Sequence, residues 1–182
     1  MKRAALFLDR DGVINVDRGY VHRQADFEFI PGIFGLVRSA NEAGLCVVVV
    51  TNQSGIARGL YTEAVFQALS SWMLLQFEHA GARVDKVYHC PHHPEDGRGE
   101  LRVACNCRKP MPGLFLQAIR DLGIDPAQSI LIGDKPSDMQ AGARAGIGRL
   151  VLLQKRCTAS GAADSLPGRV TVIHSLSGLS WW

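Results

Sequence analysis

Two carboxylates one residue apart, Asp9 and Asp11, close an apolar run and meet a glycine in Ala4-Ala-Leu-Phe-Leu-Asp9-Arg10-Asp11-Gly12-Val13. Side chains at i and i+2 leave a strand on the same side, so both acids could share one small site at its carboxyl end. Asp-Gly is also an ordinary turn pair, and the ten residues alone read equally well as a turn. Three further polar clusters decide the matter: Thr51-Asn52-Gln53-Ser54-Gly55, Cys107-Arg108-Lys109-Pro110 and Gly133-Asp134-Lys135-Pro136-Ser137-Asp138. A cap, a solvated loop and a turn would each explain one of them. At the same end of one parallel sheet they make a crevice. Convergence of Asp9, Asp11 and Asp134 would be unfavourable without a cation. Oxygen ligands suit a hard ion, and Mg²⁺ keeps some water and takes phosphate oxygens as well. Thr51, Lys109 and Lys135 are donors suited to spreading charge on a transferring phosphoryl group. The expected chemistry is a two-step hydrolysis. Asp9 attacks phosphorus and becomes an aspartyl phosphate, while Asp11 protonates the departing alkoxide and then takes a proton from water.

A second constellation lies between residues 90 and 107. Cys90-Pro-His92-His93 is followed, after twelve residues beyond His92, by Cys105-Asn-Cys107. Three cysteines and a histidine in two close pairs match tetrahedral Zn²⁺, and thiolates favour zinc over Mg²⁺. His92, which makes a Cys-x-His pair mirroring Cys-x-Cys, is preferred to His93 as the fourth ligand. Four protein ligands leave no open position, so this zinc is expected to be structural. It would staple a polar loop and hold Arg108 and Lys109 over the crevice. His89 ends an apolar strand and is expected to pack there.

These groups need a frame to position them. Apolar runs of strand length at Ala4–Leu8, Leu45–Val50, Val84–His89, Ser129–Ile132 and Arg149–Leu153 alternate with helical patterns, as βαβ units require. The helices are Pro31–Ala43, Thr62–Ala80, Pro112–Leu122 and Pro136–Ala145, with prolines at three of their starts and glycines just past all four ends. Val65, Phe66, Leu69, Met73 and Phe77 form a stripe that reads as core. Residues 154–182 form a tail: Gln154–Arg169 reads as loop, Val170–Ile173 as an edge strand, and Trp181-Trp182 closes the chain. One domain over 1–182 is expected.

Composition narrows the classes. The 182 residues are 47% apolar and 20% charged, ordinary globular usage, and a net charge of +3 argues against nucleic acid or an anionic membrane as partner. The amino terminus lacks a signal peptide's long apolar segment, and no stretch approaches a membrane span. Five cysteines without a disulfide framework fit a reducing compartment, hence the cytoplasm. Cys46 reads as core, and Cys157 lies in a polar stretch. A monomer is expected.

Asp9-x-Asp11-Gly12, Thr51, Lys109 and Gly133-Asp134-x-x-x-Asp138 together resemble the four ordered motifs of the haloacid-dehalogenase (HAD) superfamily. The resemblance implies a Rossmann-like α/β core, a mainly parallel sheet with helices on both faces. It implies Mg²⁺ held by the Asp9 side chain, the Asp11 backbone carbonyl and Asp134, with Asp138 in support. The intervals between motifs are too short for a large cap domain, so short loops close the site. The zinc loop with Arg108-Lys109-Pro110 resembles the subgroup of histidinol-phosphate phosphatases and D-glycero-D-manno-heptose 1,7-bisphosphate phosphatases. Asn15-Val-Asp17-Arg-Gly19-Tyr20-Val-His22, Thr51-Asn-Gln-Ser-Gly-Ile-Ala-Arg58-Gly59 and Gly133-Asp-Lys135 are closer to the heptose enzymes. That implies removal of a C7 phosphate on the way to the ADP-heptose of lipopolysaccharide core. It also implies substrate contacts from Asp17, Arg18, Gly19, Tyr20, Thr51, Asn52, Gln53, Ser54, Arg108, Lys109 and Lys135. Arg10, Arg58, Arg108, Lys109 and Lys135 are cations available to the phosphate that stays. Histidinol phosphate as substrate, a zinc-stapled nucleic-acid-binding module and a phospho-acceptor signalling domain are the competing readings. The last would lack a water-activating acid, which Asp11 supplies here.

Overall fold

The computed structural model describes residues 2–154 and 170–179. Most of the expected Gln154–Arg169 loop, Cys157 and Trp181-Trp182 lie outside the described residues. The apolar runs become β1 (Ala5–Leu8), β2 (Cys46–Asn52), β3 (Lys86–Cys90), β4 (Ile130–Gly133), β5 (Arg149–Leu153) and β6 (Val170–Ile173). All neighbouring pairs are parallel, in the order β3-β2-β1-β4-β5-β6. A helix lies between most successive strands: α1 (Ile33–Glu42), α3 (Glu63–His79), α4 (Gly113–Leu122) and α5 (Pro136–Arg144), with a short α2 (Ser54–Ala57) after β2. Val170–Ile173 is the edge strand beside β5.

The period-2 rule divides the sheet into two cores. Leu6, Leu8, Val47, Val49, Ile130 and Ile132 face α1 and α3, whose Ile33, Leu36, Val37, Leu69, Met73 and Phe77 close one side. Ala5, Phe7, Val48, Val50 and Leu131 face α4 and α5, where Leu114, Phe115, Ala118 and Met139 close the other. Central strands covered on both faces need no polar alternation, which is why β2 reads Val47-Val-Val-Val50. Val65 departs from the expected stripe: it is exposed, one turn behind the Thr62 hydroxyl that caps α3 by accepting from its amide. Such a cap stabilises by about 1 kcal/mol. His89 packs on Phe66 at 4.3 Å between ring centroids and reaches Glu63 at 2.7 Å.

The chain reverses its direction of travel across the sheet at β1, with β2 on one side and β4 on the other. In open parallel sheets the strand ends at such a switch point frame the ligand crevice. Asp9 leaves β1 there, Thr51 sits near the end of β2, and Asp134 follows β4 at once. Among the described residues, no helix is long and apolar enough to cross a membrane. Among the described residues, no large cap stands over the strand ends.

Candidate active site and Cys/His centre

Asp9 is buried at the end of β1, where its Oδ1 accepts from the Arg10 amide at 2.7 Å and lies 2.9 Å from Lys109 Nζ. The same ammonium lies 2.6 Å from Asp138 Oδ1 and donates to the Val50 carbonyl at 2.9 Å. Asp138 Oδ2 in turn accepts from the Lys135 amide at 3.0 Å, tying the first turn of α5 into the cluster. Glycine at 133 is what allows this, since a Cβ there would stand 2.4 Å from the Asp138 Cβ. Gly12 (φ +96°) does the same for Asp134, whose Oδ2 would meet a Cβ at 2.1 Å. Carboxylate oxygens of Asp9, Asp134 and Asp138 lie within 4.8 Å of one another.

Burial and the neighbouring acids raise two of these groups. Asp9 is pushed up to about 6 mainly by burial, with Lys109 opposing and Asp138 assisting. Asp134 is pushed up to about 7, again mainly by burial, then by the Asp9 charge. Burial disfavours the Lys109 ammonium, but Asp138 and Asp9 outweigh it and raise its pKa. Asp134 Oδ1 is buried without a hydrogen-bond partner. Lys109 thus contacts Asp9 and Asp138 directly, whereas Asp134 feels Lys135 and Lys109 only through space and keeps one oxygen without a partner. That donor set fits a hard divalent ion.

The Asp11 side chain is placed differently from the expected convergence. Its carboxylate does not join Asp9 and Asp134; Asp138 stands third. The Arg10 guanidinium grips both Asp11 oxygens at 2.8 Å through Nη2, Asn15 donates to Oδ1 at 3.0 Å, and Gln53 to Oδ2 at 3.0 Å. The chain has already left the strand here. The amides of Val13, Ile14 and Asn15 all turn back to the Arg10 carbonyl, which removes the i, i+2 relation. Asp11 still lines the crevice, turned toward its wall.

Arg10 is therefore no free cation. It is 1% exposed, donates to the Val21 carbonyl at 2.7 Å and lies between the rings of Phe27 and Phe66. Arg58 is paired with Asp96 at 2.7 Å and with His93 at 3.2 Å. Arg18 pairs with Glu28 on the surface and does not line the crevice. The Asn52 amide is committed elsewhere too: it donates to the Lys109 carbonyl at 3.1 Å and accepts from the Lys109 amide at 3.0 Å.

The crevice, about 610 Å³, is lined by Asp9, Asp11, Asp17, Gly19, Tyr20, Thr51, Asn52, Gln53, Ser54, Arg108, Lys109 and Lys135. Asp134 lies just outside it, on the adjoining wall of a second cleft. Asp17 and Lys135 meet across its mouth at 3.0 Å. Burial would raise Asp17, yet the Gly19 amide and Lys135 hold its pKa below the ordinary value. Three further residues line it that the sequence did not single out as site residues: Tyr61, Pro110 and Ser137. Tyr61 could have been suspected only as a lone aromatic between short elements.

At the end of β3, Cys90, His92, Cys105 and Cys107 gather. Cys107 Sγ lies 3.0 Å from Cys90 Sγ, 3.1 Å from Cys105 Sγ and 3.3 Å from His92 Nδ1. Sulfurs around a tetrahedral zinc would stand about 3.8 Å apart, a small expansion of this cluster. Burial, then the Cys107 thiol, raise Cys90, a cost that a bound cation would relieve. His93 stays outside the cluster: its Nδ1 accepts from the Glu95 and Asp96 amides and its Nε2 faces Arg58. The Arg108 guanidinium reaches back to the His92 carbonyl at 3.3 Å.

Comparison with known proteins places this geometry. A HAD-hydrolase-like family model matches residues 106–178. The D-glycero-β-D-manno-heptose-1,7-bisphosphate 7-phosphatase of Vibrio cholerae is 49% identical over 154 residues, 85% of this chain and 83% of that protein. Its namesake from Salmonella typhi is 46% identical over 175 residues, 96% of this chain and 92% of the relative. Among solved structures, the D,D-heptose 1,7-bisphosphate phosphatase of B. bronchiseptica, complexed with magnesium and phosphate, superposes with a TM-score of 0.80. It is 34% identical, with 97% of this chain and 94% of that one covered. With a buried Asp-x-Asp-Gly turn, a Lys109 bridge, a Gly133-Asp134 strand end and identity of this extent, the chain belongs to the D-glycero-β-D-manno-heptose-1,7-bisphosphate 7-phosphatase family of HAD-like hydrolases.

Proposed function

We propose that this chain is a Mg²⁺-dependent phosphatase that removes the C7 phosphate of D-glycero-β-D-manno-heptose 1,7-bisphosphate and leaves heptose 1-phosphate. By the same resemblance, its product is a precursor of ADP-heptose for lipopolysaccharide core. The observation that carries the reading is the buried Asp9–Lys109–Asp138 array beside Asp134, in a chain nearly half identical to relatives of that name.

Asp9 is the nucleophile. Its carboxylate attacks phosphorus in line, a P–O bond forms to Asp9, and the bond to the C7 oxygen breaks. Asp11, on the crevice wall, gives the departing oxygen its proton and then takes one from the water that cleaves the aspartyl phosphate. Lys109 and Thr51 stabilise charge on the transferring group, and Lys109 keeps Asp9 ionised and aimed. Asp9, Asp134 and the Asp11 carbonyl would hold Mg²⁺, which when bound would neutralise phosphate charge. Asp17, Gly19, Tyr20, Ser54, Arg108 and Lys135 contact the sugar and its remaining phosphate. Cys90, His92, Cys105 and Cys107 hold a structural Zn²⁺, and the loop they fix carries Arg108 and Lys109. The enzyme works as a single-domain monomer in the cytoplasm on a small molecule, without nucleic acid.

The test is phosphate release by metal-stripped protein with Mg²⁺ added back. Heptose bisphosphate and histidinol phosphate are compared by kcat/KM. The heptose substrate is expected to win by orders of magnitude; the reverse ranking overturns the substrate, and activity without Mg²⁺ overturns the cofactor.

A further inference from the structure

We propose that Tyr61 is a positioning residue for proton transfer: its hydroxyl orients the Gln53 amide, and that amide holds Asp11 on the crevice wall. The inference rests on the acid/base role given to Asp11 above.

Gln53 follows β2 directly and is 2% exposed. Its Nε2 donates to Asp11 Oδ2 at 3.0 Å and to Thr51 Oγ1 at 2.9 Å, while its Oε1 accepts from the Tyr61 hydroxyl at 2.6 Å. An amide can be turned end for end with little change of shape. Here only one orientation suits the charges. The flipped form would aim Oε1 at a carboxylate and lose the donor that Asp11 uses. The orientation that serves Asp11 leaves Oε1 buried, and Tyr61 is what satisfies it. Burial, the largest influence, pushes the phenol up to about 12, so its proton is present at any working pH.

The ring is also fixed in place. It is 7% exposed and stacks on His22 with centroids 5.0 Å apart and planes 13° apart. A Cβ at Gly55 would stand 2.2 Å from its Cε1, so glycine there is the condition for the ring's approach. Nothing in the proposed phosphoryl transfer uses Tyr61, yet it lines the crevice. Arg10 and Asn15 hold Asp11 from other sides, so loss of Tyr61 loosens the acid without releasing it.

Tyr61→Phe keeps the ring and removes the hydroxyl. Two substrates separate positioning from mere structure. Heptose bisphosphate expels an alkoxide that needs a proton, whereas p-nitrophenyl phosphate expels a phenolate that does not. Because kcat/KM reports events up to phosphoenzyme formation, it isolates the step in which Asp11 is the acid. Tyr61→Phe is expected to lower kcat/KM about tenfold on heptose bisphosphate and less than about twofold on p-nitrophenyl phosphate. Asp11→Asn, as reference, should show the same selectivity more strongly. Gln53→Glu turns a negative oxygen on Asp11 and Thr51 alike, so it should lower kcat/KM on both substrates with the larger fall on heptose bisphosphate, and it serves if Tyr61→Phe folds poorly. Equal losses on both substrates, or none, in these two variants beside a selective Asp11→Asn would overturn the inference. An unselective Asp11→Asn would instead sink the acid/base role on which it stands.

Discussion

At the strand ends, Asp9 and Asp134 directly follow the adjacent central strands β1 and β4, and Lys109 stands between Asp9 and Asp138 with its ammonium fully used. In the 90–107 loop, only Cys90 lies on a strand, and the intervening stretch has a single short turn of helix, Gly99–Leu101. Ordering such a loop costs about 1–2 kcal/mol per residue in backbone entropy, with few apolar side chains to offset it. Structural zinc contributes on the order of 10–16 kcal/mol in small peptides, ample for that task. One centre is preformed by the sheet. The other, as the proposed zinc site, would owe its shape to the ion. Removing either metal should therefore stop the enzyme in different ways.

The largest effect is expected at the preformed centre. Asp9→Asn should bring phosphate release to background while leaving the thermal unfolding midpoint within a few degrees, because the sheet holds the site whatever its chemistry. An active Asp9→Asn protein would refute the covalent mechanism. At the dependent centre, Cys105→Ser should lose zinc by elemental analysis and raise hydrogen exchange across residues 91–107 while β1, β2 and β4 stay protected. Its kcat/KM should fall on the order of tenfold as Arg108 and Lys109 lose their anchor. Uniform exchange throughout the chain would mean that the loop supports the whole fold.

A smaller effect concerns protons. Metal-free Asp9 and Asp134 have values raised to about 6 and about 7. Raised carboxylates contribute stability that is present below their ordinary value near 3.8 and is lost as pH rises through 6 and 7. Mg²⁺ should restore it, so the rise in unfolding temperature on adding Mg²⁺ should be larger at about pH 8 than at about pH 5. An equal rise at both would place the ion elsewhere. The smallest effect is at Arg18. Its exposed pair with Glu28 contributes little, so Arg18→Ala should change kcat/KM less than about twofold.

Much of this was readable from the chain. Buried parallel strands are continuous apolar runs, and their ends face one way, so the crevice could be assembled from Asp9, Thr51, Lys109 and Asp134 before any coordinates. Two-close-pair spacing marked Cys90, His92, Cys105 and Cys107 as a set. What escaped was orientation. Asp11 obeys the strand rule only while the strand lasts, and the turn that gathers three amides onto the Arg10 carbonyl begins one residue earlier. Arg10 looks like any solvated cation in sequence, although the fold encloses it between two aromatic rings. Asn52 and Gln53 share the same functional group, yet one clasps backbone and the other a carboxylate. Tyr61 follows a helix of four residues, too short for any periodicity to announce it.

The double hydrogen bond between Asn52 and the Lys109 backbone has a consequence for chain length. It acts as a ruler between the sheet and the residues leaving the Cys/His loop. Insertions or deletions between His92 and Cys105 only change the size of a surface excursion, which costs little entropy. One residue added between Cys107 and Lys109 would leave every sulfur in place and carry the lysine past its acids.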